Sequence, residues 1–179
     1  MVVTLIGYRG CGKSTVAVLL ARQLNWDSID ADVELERRAG KSIREIFADD
    51  GEPCFRQLER NVLHDLLSRD RLVIAAGGGA VLNAETRDEM AHAGPVVWLQ
   101  ASVAALEKRL KTDVETASRR PALTSGSPIG EIETVLAQRE PIYRSCATHA
   151  VATDDKSPEE IVRQILDDLG DAWWTGEPA

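Results

Sequence analysis

The stretch Gly7-Tyr8-Arg9-Gly10-Cys11-Gly12-Lys13-Ser14-Thr15 decides the fold of this chain. It follows an apolar run, residues 2–6, typical of a buried strand, and it leads into residues 16–21, which predict a helix. The stretch fits G-x-x-x-x-G-K-[ST], the pattern of a phosphate-binding loop, in which glycines let successive backbone N–H groups turn toward a phosphate chain. The start of the following helix adds a partial positive charge. We therefore expect the chain to bind a nucleoside triphosphate together with Mg²⁺.

The residues of this loop have distinct expected contacts. Lys13 supplies a full positive charge to the β- and γ-phosphates, and Ser14 offers its hydroxyl to Mg²⁺. Thr15 can hydrogen-bond within the first helical turn. Backbone contacts to the nucleotide are expected from Gly10, Cys11 and Gly12. The alternative is a glycine-rich turn that merely precedes a helix.

Composition limits the classes of protein to consider. The 179 residues predict one domain, and the net charge of −8 argues against a nucleic-acid-binding surface. The first predicted strand begins at residue 2, which leaves no room for a signal peptide, and no apolar run approaches a membrane span. The three cysteines lack C-x-x-C spacing, so neither a disulfide framework nor a zinc site is predicted. We expect a cytosolic monomer that acts on small molecules.

Strands and helices alternate along the chain. Further strands are predicted at residues 28–30, 72–76, 95–99 and 148–152. Helices are predicted at residues 33–39, after Ser42, and at 54–67, 102–110, 129–143 and 158–169. Capping boxes at Ser42/Glu45 and Ser157/Glu160 mark two of the helix starts. The alternation predicts a doubly wound five-stranded parallel sheet with helices on both faces, in one domain over residues 1–170 with a tail over 171–179.

Residues 112–128 fit no regular element, because they are polar, lack periodicity and contain two prolines. A loop of this length in a compact domain is usually functional, and in a phosphotransferase it would be a lid. Pro121 biases Arg120 toward an extended backbone, from which the arginine could reach inward. We expect the lid to be open without ligands and to close on binding. The alternative is that Arg119 and Arg120 are two solvated charges.

Two acids, Asp30 and Asp32, are the candidates for metal and proton chemistry. A GTPase would carry D-x-x-G at a strand end and N-K-x-D for guanine, and neither is present in the required place. The strand at 72–76 also ends without the aspartate found in many P-loop ATPases. Asp30 and Asp32 follow the second strand, at the edge where open α/β sheets bind ligands. The alternative is that both acids only help to start the helix at Val33.

Taken together, these motifs resemble the shikimate kinase family, from Val2 to about Leu169. The resemblance is carried by the phosphate-binding loop, Asp30-Ala31-Asp32, Phe55-Arg56 with Glu59, Gly77-Gly78-Gly79, Arg120-Pro121 and Arg139-Glu140-Pro141-Ile142-Tyr143. It implies the nucleoside-monophosphate-kinase-like fold with a lid. It also implies transfer of the γ-phosphate of ATP to the 3-hydroxyl of shikimate.

The resemblance assigns roles to individual residues. Asp32 would contact the substrate hydroxyls and serve as the base, while Asp30 would join Ser14 in the Mg²⁺ network. Arg120 would reach the phosphates from the lid, and Arg109 would also contact the nucleotide. The substrate ring and carboxylate would be held by Arg56, Arg139, Gly77, Gly78 and Gly79.

The chemistry of the two substrate arginines agrees with this assignment, since arginine binds a carboxylate in bidentate fashion. Both arginines also have acids nearby in the sequence: Glu52 and Glu59 for Arg56, Glu133 and Glu140 for Arg139. Local ion pairs are therefore the alternative for each.

Two other functions remain open at this point. One is another small-molecule kinase of the same fold, such as a gluconate or nucleoside monophosphate kinase. The arginine pair and the Gly77–Gly79 loop favour shikimate over these substrates. The other is a nucleotide-binding module without catalysis, against which the presence of Asp32 and Arg120 argues.

Overall fold

A five-stranded, entirely parallel sheet forms the centre of the computed structural model, which describes residues 1–112 and 128–170. Its strands are β1 (Val2–Ile6), β2 (Asp27–Asp30), β3 (Leu72–Ala75), β4 (Val96–Gln100) and β5 (His149–Ala152). Their order is β2-β3-β1-β4-β5. The predicted doubly wound sheet is confirmed. The lid expected over 112–128 and the tail over 171–179 lie almost entirely outside the described residues.

Helices connect the strands and cover the sheet. They are α1 (Lys13–Leu24), α2 (Ala31–Ala39), α3 (Ile43–Asp49), α4 (Gly51–Leu67), α5 (Ala84–Ala93), α6 (Val103–Thr112), α7 (Pro128–Cys146) and α8 (Pro158–Leu169). Both predicted capping boxes are present, at the starts of α3 and α8. Within residues 1–112 and 128–170, no helix is long and apolar enough to cross a membrane.

Some helix bounds differ from the prediction for local reasons. Helix α2 begins at Ala31 rather than Val33, because the Asp30 side chain caps the backbone N–H groups of Asp32 and Val33. Thr112 ends α6 and Pro128 begins α7, so both predicted ends of the lid are helical. Helix α5 was not predicted at all, since it buries only Thr86 and Met90 and therefore has almost no apolar stripe.

The apolar strands contribute side chains to two hydrophobic cores, one on each face of the sheet. Along β1, Val2 and Ile6 belong to one buried cluster, whereas Val3 and Leu5 belong to the other. This division follows from the two-residue period of strand side chains. Helices α2 to α5 pack against the first cluster, and α1, α6 and α8 pack against the second. Burial on both faces explains why β1 is apolar at every position except Thr4.

The strand order places a ligand crevice at β1. In this order β2 and β3 lie on one side of β1, and β4 and β5 lie on the other. The strand order therefore reverses at β1, and such a switch point is where open α/β sheets bind ligands. The carboxyl ends of β1, β2 and β3 lead into the phosphate-binding loop, Asp30 and the Gly77–Gly79 loop respectively. All three sequence motifs therefore meet at one edge of the sheet.

Helix α2 offers a test of electrostatic stabilisation away from this edge. Arg37 and Arg38 each donate to Glu34 at 2.7 Å, and these hydrogen bonds lower the pKa of Glu34 to about 2. A carboxyl whose folded pKa lies below its unfolded value stabilises the fold above that unfolded value, and loses this contribution as pH falls through the folded pKa. We expect Glu34→Gln to lower the free energy of unfolding at pH 7 by about 0.5–1 kcal/mol, the range of exposed ion pairs.

Urea unfolding at several pH values checks this expectation. The difference between wild type and Glu34→Gln should shrink as pH falls from about 4.5 toward 2, because Glu34 then binds a proton first in the unfolded and next in the folded state. Glu133→Gln, an exposed change on α7, is the matched control and should behave like wild type. An undiminished difference at the lowest pH would contradict the assignment.

Candidate active site

The phosphate-binding loop joins β1 to α1 with the geometry that its glycines predict. Gly7, Gly10 and Gly12 have φ values of 140°, 80° and 99°, which L side chains rarely adopt. A Cβ on Gly7 would also lie 2.6 Å from the Leu99 carbonyl oxygen, so the close approach of β4 requires glycine there. Helix α1 begins at Lys13 and therefore presents its positive end to the loop.

Lys13 folds over this loop. Its Nζ atom donates to the carbonyl oxygens of Gly7 and Tyr8, both at 2.9 Å, and lies 3.7 Å from Cys11 Sγ. The ammonium is thus held by weak neutral acceptors at the place where the backbone can bind a phosphate chain. A phosphate oxygen carries a full charge and is the stronger partner for this ammonium.

Ser14 and Asp30 are in direct contact at the carboxyl end of β2, and Asp32 follows them in the first turn of α2. Ser14 Oγ donates to Asp30 Oδ2 at 2.5 Å, while Asp30 Oδ1 accepts from the backbone N–H groups of Asp32 and Val33 at 3.0 and 3.4 Å. Asp30 therefore starts the helix, as the alternative interpretation held, and also contacts the loop serine. Asp32 is half-buried in the first turn of α2, beside this pair.

The donors at this position fit Mg²⁺. A hydroxyl and a carboxylate are hard oxygen ligands, and Mg²⁺ in kinases is usually held by one or two protein groups plus water and phosphates. Among residues 1–112 and 128–170, no group of three or more His, Cys, Asp and Glu side chains could hold a metal by itself. Ser14 and Asp30 supply two hard oxygen donors, which would suit a cation that arrives with a nucleotide.

Arg56 lies against the Gly77–Gly79 loop. Its guanidinium donates to Glu52 at 3.0 Å and to Glu59 at 2.7 Å, so the local ion pairs considered from the sequence are present. The same guanidinium packs on the Phe55 ring and would lie 2.5 Å from a Cβ added to Gly79. The acids thus hold Arg56 on the loop, and only a residue without a side chain fits beside it.

Arg139 reaches the same loop from α7. Its Nη1 atom donates to the Gly78 carbonyl at 3.0 Å, and the Tyr143 hydroxyl donates to the same oxygen at 2.6 Å. Burial raises the pKa of Tyr143 to about 12, so this hydroxyl keeps its proton and remains a donor. The expected local partner Glu140 instead accepts from Arg144. Two donors from one helix therefore fix the Gly78 carbonyl.

The glycine loop brings the substrate arginines next to the phosphate loop. A Cβ added to Gly78 would lie 3.3 Å from the Gly7 carbonyl oxygen and 3.6 Å from Arg139 Nη1. The carbonyl of one loop is thus in contact with the backbone of the other. A group held by Arg56 and Arg139 is consequently adjacent to a phosphate held by the P-loop.

Of the two remaining predicted residues, the structure describes only Arg109. Arg109 donates to Thr153 Oγ1 at 3.0 Å and to the Thr153 carbonyl at 2.7 Å, which ties α6 to the turn after β5. Its contact with the nucleotide stays a prediction. Arg120 lies outside the described residues, as does its expected contact with the phosphates.

Sequence reasoning missed two contacts at the site. Tyr143 was part of a recognised motif but had no assigned role, and the ion pair of Arg9 with Glu131 was not anticipated. The second pair joins residues 122 positions apart, so no local pattern could reveal it. A buried tyrosine one helical turn after Arg139 is the only signal that the sequence offered for the first.

A phosphate-binding loop in contact with Asp30, beside two arginines on a glycine loop, is typical of a small-molecule kinase with the nucleoside-monophosphate-kinase-like fold. Comparison with known proteins identifies which one. The model of the family described as Shikimate kinase matches residues 9–170. The chain therefore belongs to the shikimate kinase family, and it is an ATP-dependent kinase.

Individual relatives agree with this family. A shikimate kinase from Rhodopirellula baltica is 44% identical over 90% of this chain and 87% of its own length. A solved shikimate kinase from Acinetobacter baumannii, in complex with shikimate, is 34% identical, with a TM-score of 0.87 over 94% of this chain and 92% of that one. A gluconokinase from Sinorhizobium meliloti has a TM-score of 0.60 at 21% identity, over 93% and 90% of the two chains. It shares the fold alone.

Proposed function

We propose that this protein transfers the γ-phosphate of ATP to the 3-hydroxyl of shikimate, giving shikimate 3-phosphate and ADP. The observation that supports the proposal most strongly is the meeting of Arg56 and Arg139 at Gly78 and Gly79, directly beside the phosphate loop. Two guanidinium groups at one point suit a small carboxylate, and the adjacent loop suits the phosphate donor.

On this proposal the nucleotide is held by the P-loop. Backbone N–H groups of Gly10, Cys11 and Gly12 bind its phosphates, and the Lys13 ammonium moves from the loop carbonyls to the β- and γ-phosphate oxygens. Ser14 and Asp30 would hold Mg²⁺. When bound, this cation would neutralise charge on the phosphate oxygens.

Asp32 is proposed as the base that accepts the proton of the attacking hydroxyl. It stands in the first turn of α2, where its backbone N–H donates to Asp30, the acid that contacts Ser14. An acceptor held by its carboxylate at the arginines would present its hydroxyls toward this acid. Little covalent chemistry is required of the protein, because phosphoryl transfer depends mainly on positioning and on electrostatic stabilisation.

Several finer points belong to the same proposal. Arg109 and Arg120 contact the nucleotide, as the family resemblance implies. The protein works as a cytosolic monomer and binds no nucleic acid, in keeping with its net charge of −8. Size-exclusion chromatography with light scattering tests the oligomeric state.

ADP release from MgATP in the presence of different acceptors tests the function. Shikimate should raise the rate far above the basal hydrolysis, whereas gluconate and AMP should not. Product analysis by NMR should place the phosphate on the 3-hydroxyl. Stimulation by gluconate or AMP but not by shikimate would refute the proposal.

Arg139→Lys is expected to cost about 1.5–3 kcal/mol in kcat/KM for shikimate, the value of a hydrogen bond to a charged group. Lysine keeps the positive charge but loses the planar fork that contacts both Gly78 and a carboxylate. Basal ATP hydrolysis should hardly change. Steady-state kinetics with each substrate varied in turn measures both quantities.

The control for this change is Arg144→Lys, since Arg144 lies on the same helix with a side chain that is 68% exposed. It should leave kcat/KM unaltered. If Arg139→Lys lowers shikimate phosphorylation and basal hydrolysis together, then Arg139 belongs to the nucleotide site instead.

A further inference from the structure

The ion pair of Arg9 with Glu131 has no role in the reaction described above. The Arg9 Nη2 atom donates to Glu131 Oε1, and the two side chains are only 19% and 3% exposed. Removing two charges from water is costly, and a buried pair persists only where its geometry is well held. Both partners belong to elements of the active site. Arg9 is the third residue of the phosphate loop, and Glu131 lies in the first turn of α7.

Each partner is further fixed in place. The negative charge of Glu131 is stabilised by the N-terminal end of α7, where the helix dipole is positive. The Arg9 guanidinium lies 5.8 Å from the centroid of the buried Tyr8 ring. The pair therefore joins a rigid loop to the beginning of a helix, rather than linking two mobile surface side chains.

Helix α7 consequently has two attachments to the site. The first is Glu131 on the phosphate loop, and the second, about two to three turns further along, is the hydrogen bonding of Arg139 and Tyr143 to Gly78. A helix held at one point can still pivot about that point. A helix held at two points keeps a fixed height and rotation against the loops.

We propose that Arg9 and Glu131 are positioning residues for the acceptor: their ion pair fixes α7 against the phosphate loop and thereby holds Arg139 beside Gly78 for the substrate carboxylate. This inference rests on the proposed function. Neither side chain needs to touch the acceptor, because the effect passes through α7. Loss of the pair removes the polar link between the first turn of α7 and the phosphate loop, although Ile132 and Val135 stay packed in the core. We expect the remaining small shift of α7 to move the Arg139 fork out of the bidentate geometry.

A direct role for Arg9 makes a different prediction. If the Arg9 guanidinium itself bound a phosphate or the carboxylate, then Glu131 would only neutralise it. Removing Glu131 would leave binding intact or strengthen it, and the two changes would be independent. In the positioning role, either change breaks the same contact, so their effects coincide.

The test compares wild type with Arg9→Met, Glu131→Gln and the double variant. We expect each single change to raise the KM for shikimate about tenfold. The dissociation constant for shikimate, measured by calorimetry, should rise by the same factor. The KM for MgATP should stay within about twofold of wild type. The double variant should bind shikimate no more weakly than the more impaired single variant, because the effects of changing two contacting residues do not add. Arg144→Met, on the exposed side of α7, is the control and should match wild type.

Several results would overturn the positioning role. One is unchanged shikimate binding in both single variants. Another is weaker shikimate binding in Arg9→Met but not in Glu131→Gln. The third is a loss of shikimate binding in the double variant that equals the sum of the two single losses. A merely structural pair would lower the melting temperature and leave the ratio of the two KM values unchanged. Should Arg9→Met fail to fold, Arg9→Lys and Glu131→Asp keep the charges, and each should retain part of the shikimate affinity. A wild type that does not phosphorylate shikimate refutes the proposed function itself, which is a separate result.

Discussion

Asp32→Asn is expected to lower kcat by roughly 10² to 10⁴ while ATP binding stays almost unaltered. Asparagine has the same size as aspartate but cannot accept a proton from the attacking hydroxyl. The fold should be preserved, because the group that caps α2 is the Asp30 side chain and the contribution of residue 32 to that cap is its backbone N–H. Steady-state kinetics, with nucleotide affinity measured by calorimetry, separates the two effects.

Asp30→Asn is the matched comparison, since it changes the neighbouring acid in the same way. Asparagine is as good an N-cap as aspartate, so α2 should remain intact. The change removes the charge next to Ser14, and it should therefore move the midpoint of the Mg²⁺ titration to higher concentration. Asp32→Asn should leave that midpoint in place. The opposite pattern would mean that the two roles are exchanged.

Lys13→Met should abolish most turnover, with a loss on the order of 10²-fold or more in kcat. Methionine fills a similar volume, but its thioether can neither donate to the phosphate oxygens nor neutralise the charge that develops on them. Within the described part of the chain, Lys13 Nζ contacts two loop carbonyls and, weakly, Cys11, so its replacement should remove little from the stability of the fold. Circular dichroism should be unchanged.

The control is Lys111→Met on α6, whose side chain is 71% exposed and pairs with Glu107. It should leave kcat within about twofold of wild type, as surface changes away from a site usually do. More than half of the wild-type kcat in Lys13→Met would exclude the assigned role.

Local patterns were enough to predict most of the fold. The strand at Val2–Ile6 and the capping boxes at Ser42 and Ser157 are encoded within a few residues, and the structure confirms them. Helix α5 escaped prediction because its sequence lacks an apolar stripe. The sequence marks only the two ends of this helix, with Asn83 at the start and Gly94 at the end. In the structure the Asn83 side chain accepts a hydrogen bond from the backbone N–H of Thr86.

The site was predictable only in part. Contacts between residues close in the sequence could be predicted, whereas contacts between distant residues could not. The ion pairs of Arg56 join residues three and four positions apart, so they could be anticipated. The hydrogen bond from Arg139 to Gly78 joins residues 61 positions apart and depends on how α7 packs on the sheet. The link from Arg9 to Glu131 spans 122 positions and has no local signature. The family resemblance supplied the role of Arg139, but it said nothing of Arg9.

The central position of β1 also affects how the protein is made. Val2 to Leu5 pair with residues 72–75, and Thr4 to Ile6 pair with residues 96–98. Synthesis proceeds at about 5–20 residues per second, so β1 waits for seconds with both edges unpaired until its partner strands leave the ribosome. All five of its residues are buried in the finished protein. We therefore expect the nascent β1 segment to be one that chaperones bind, and nucleotide binding to begin only after Trp98 has emerged.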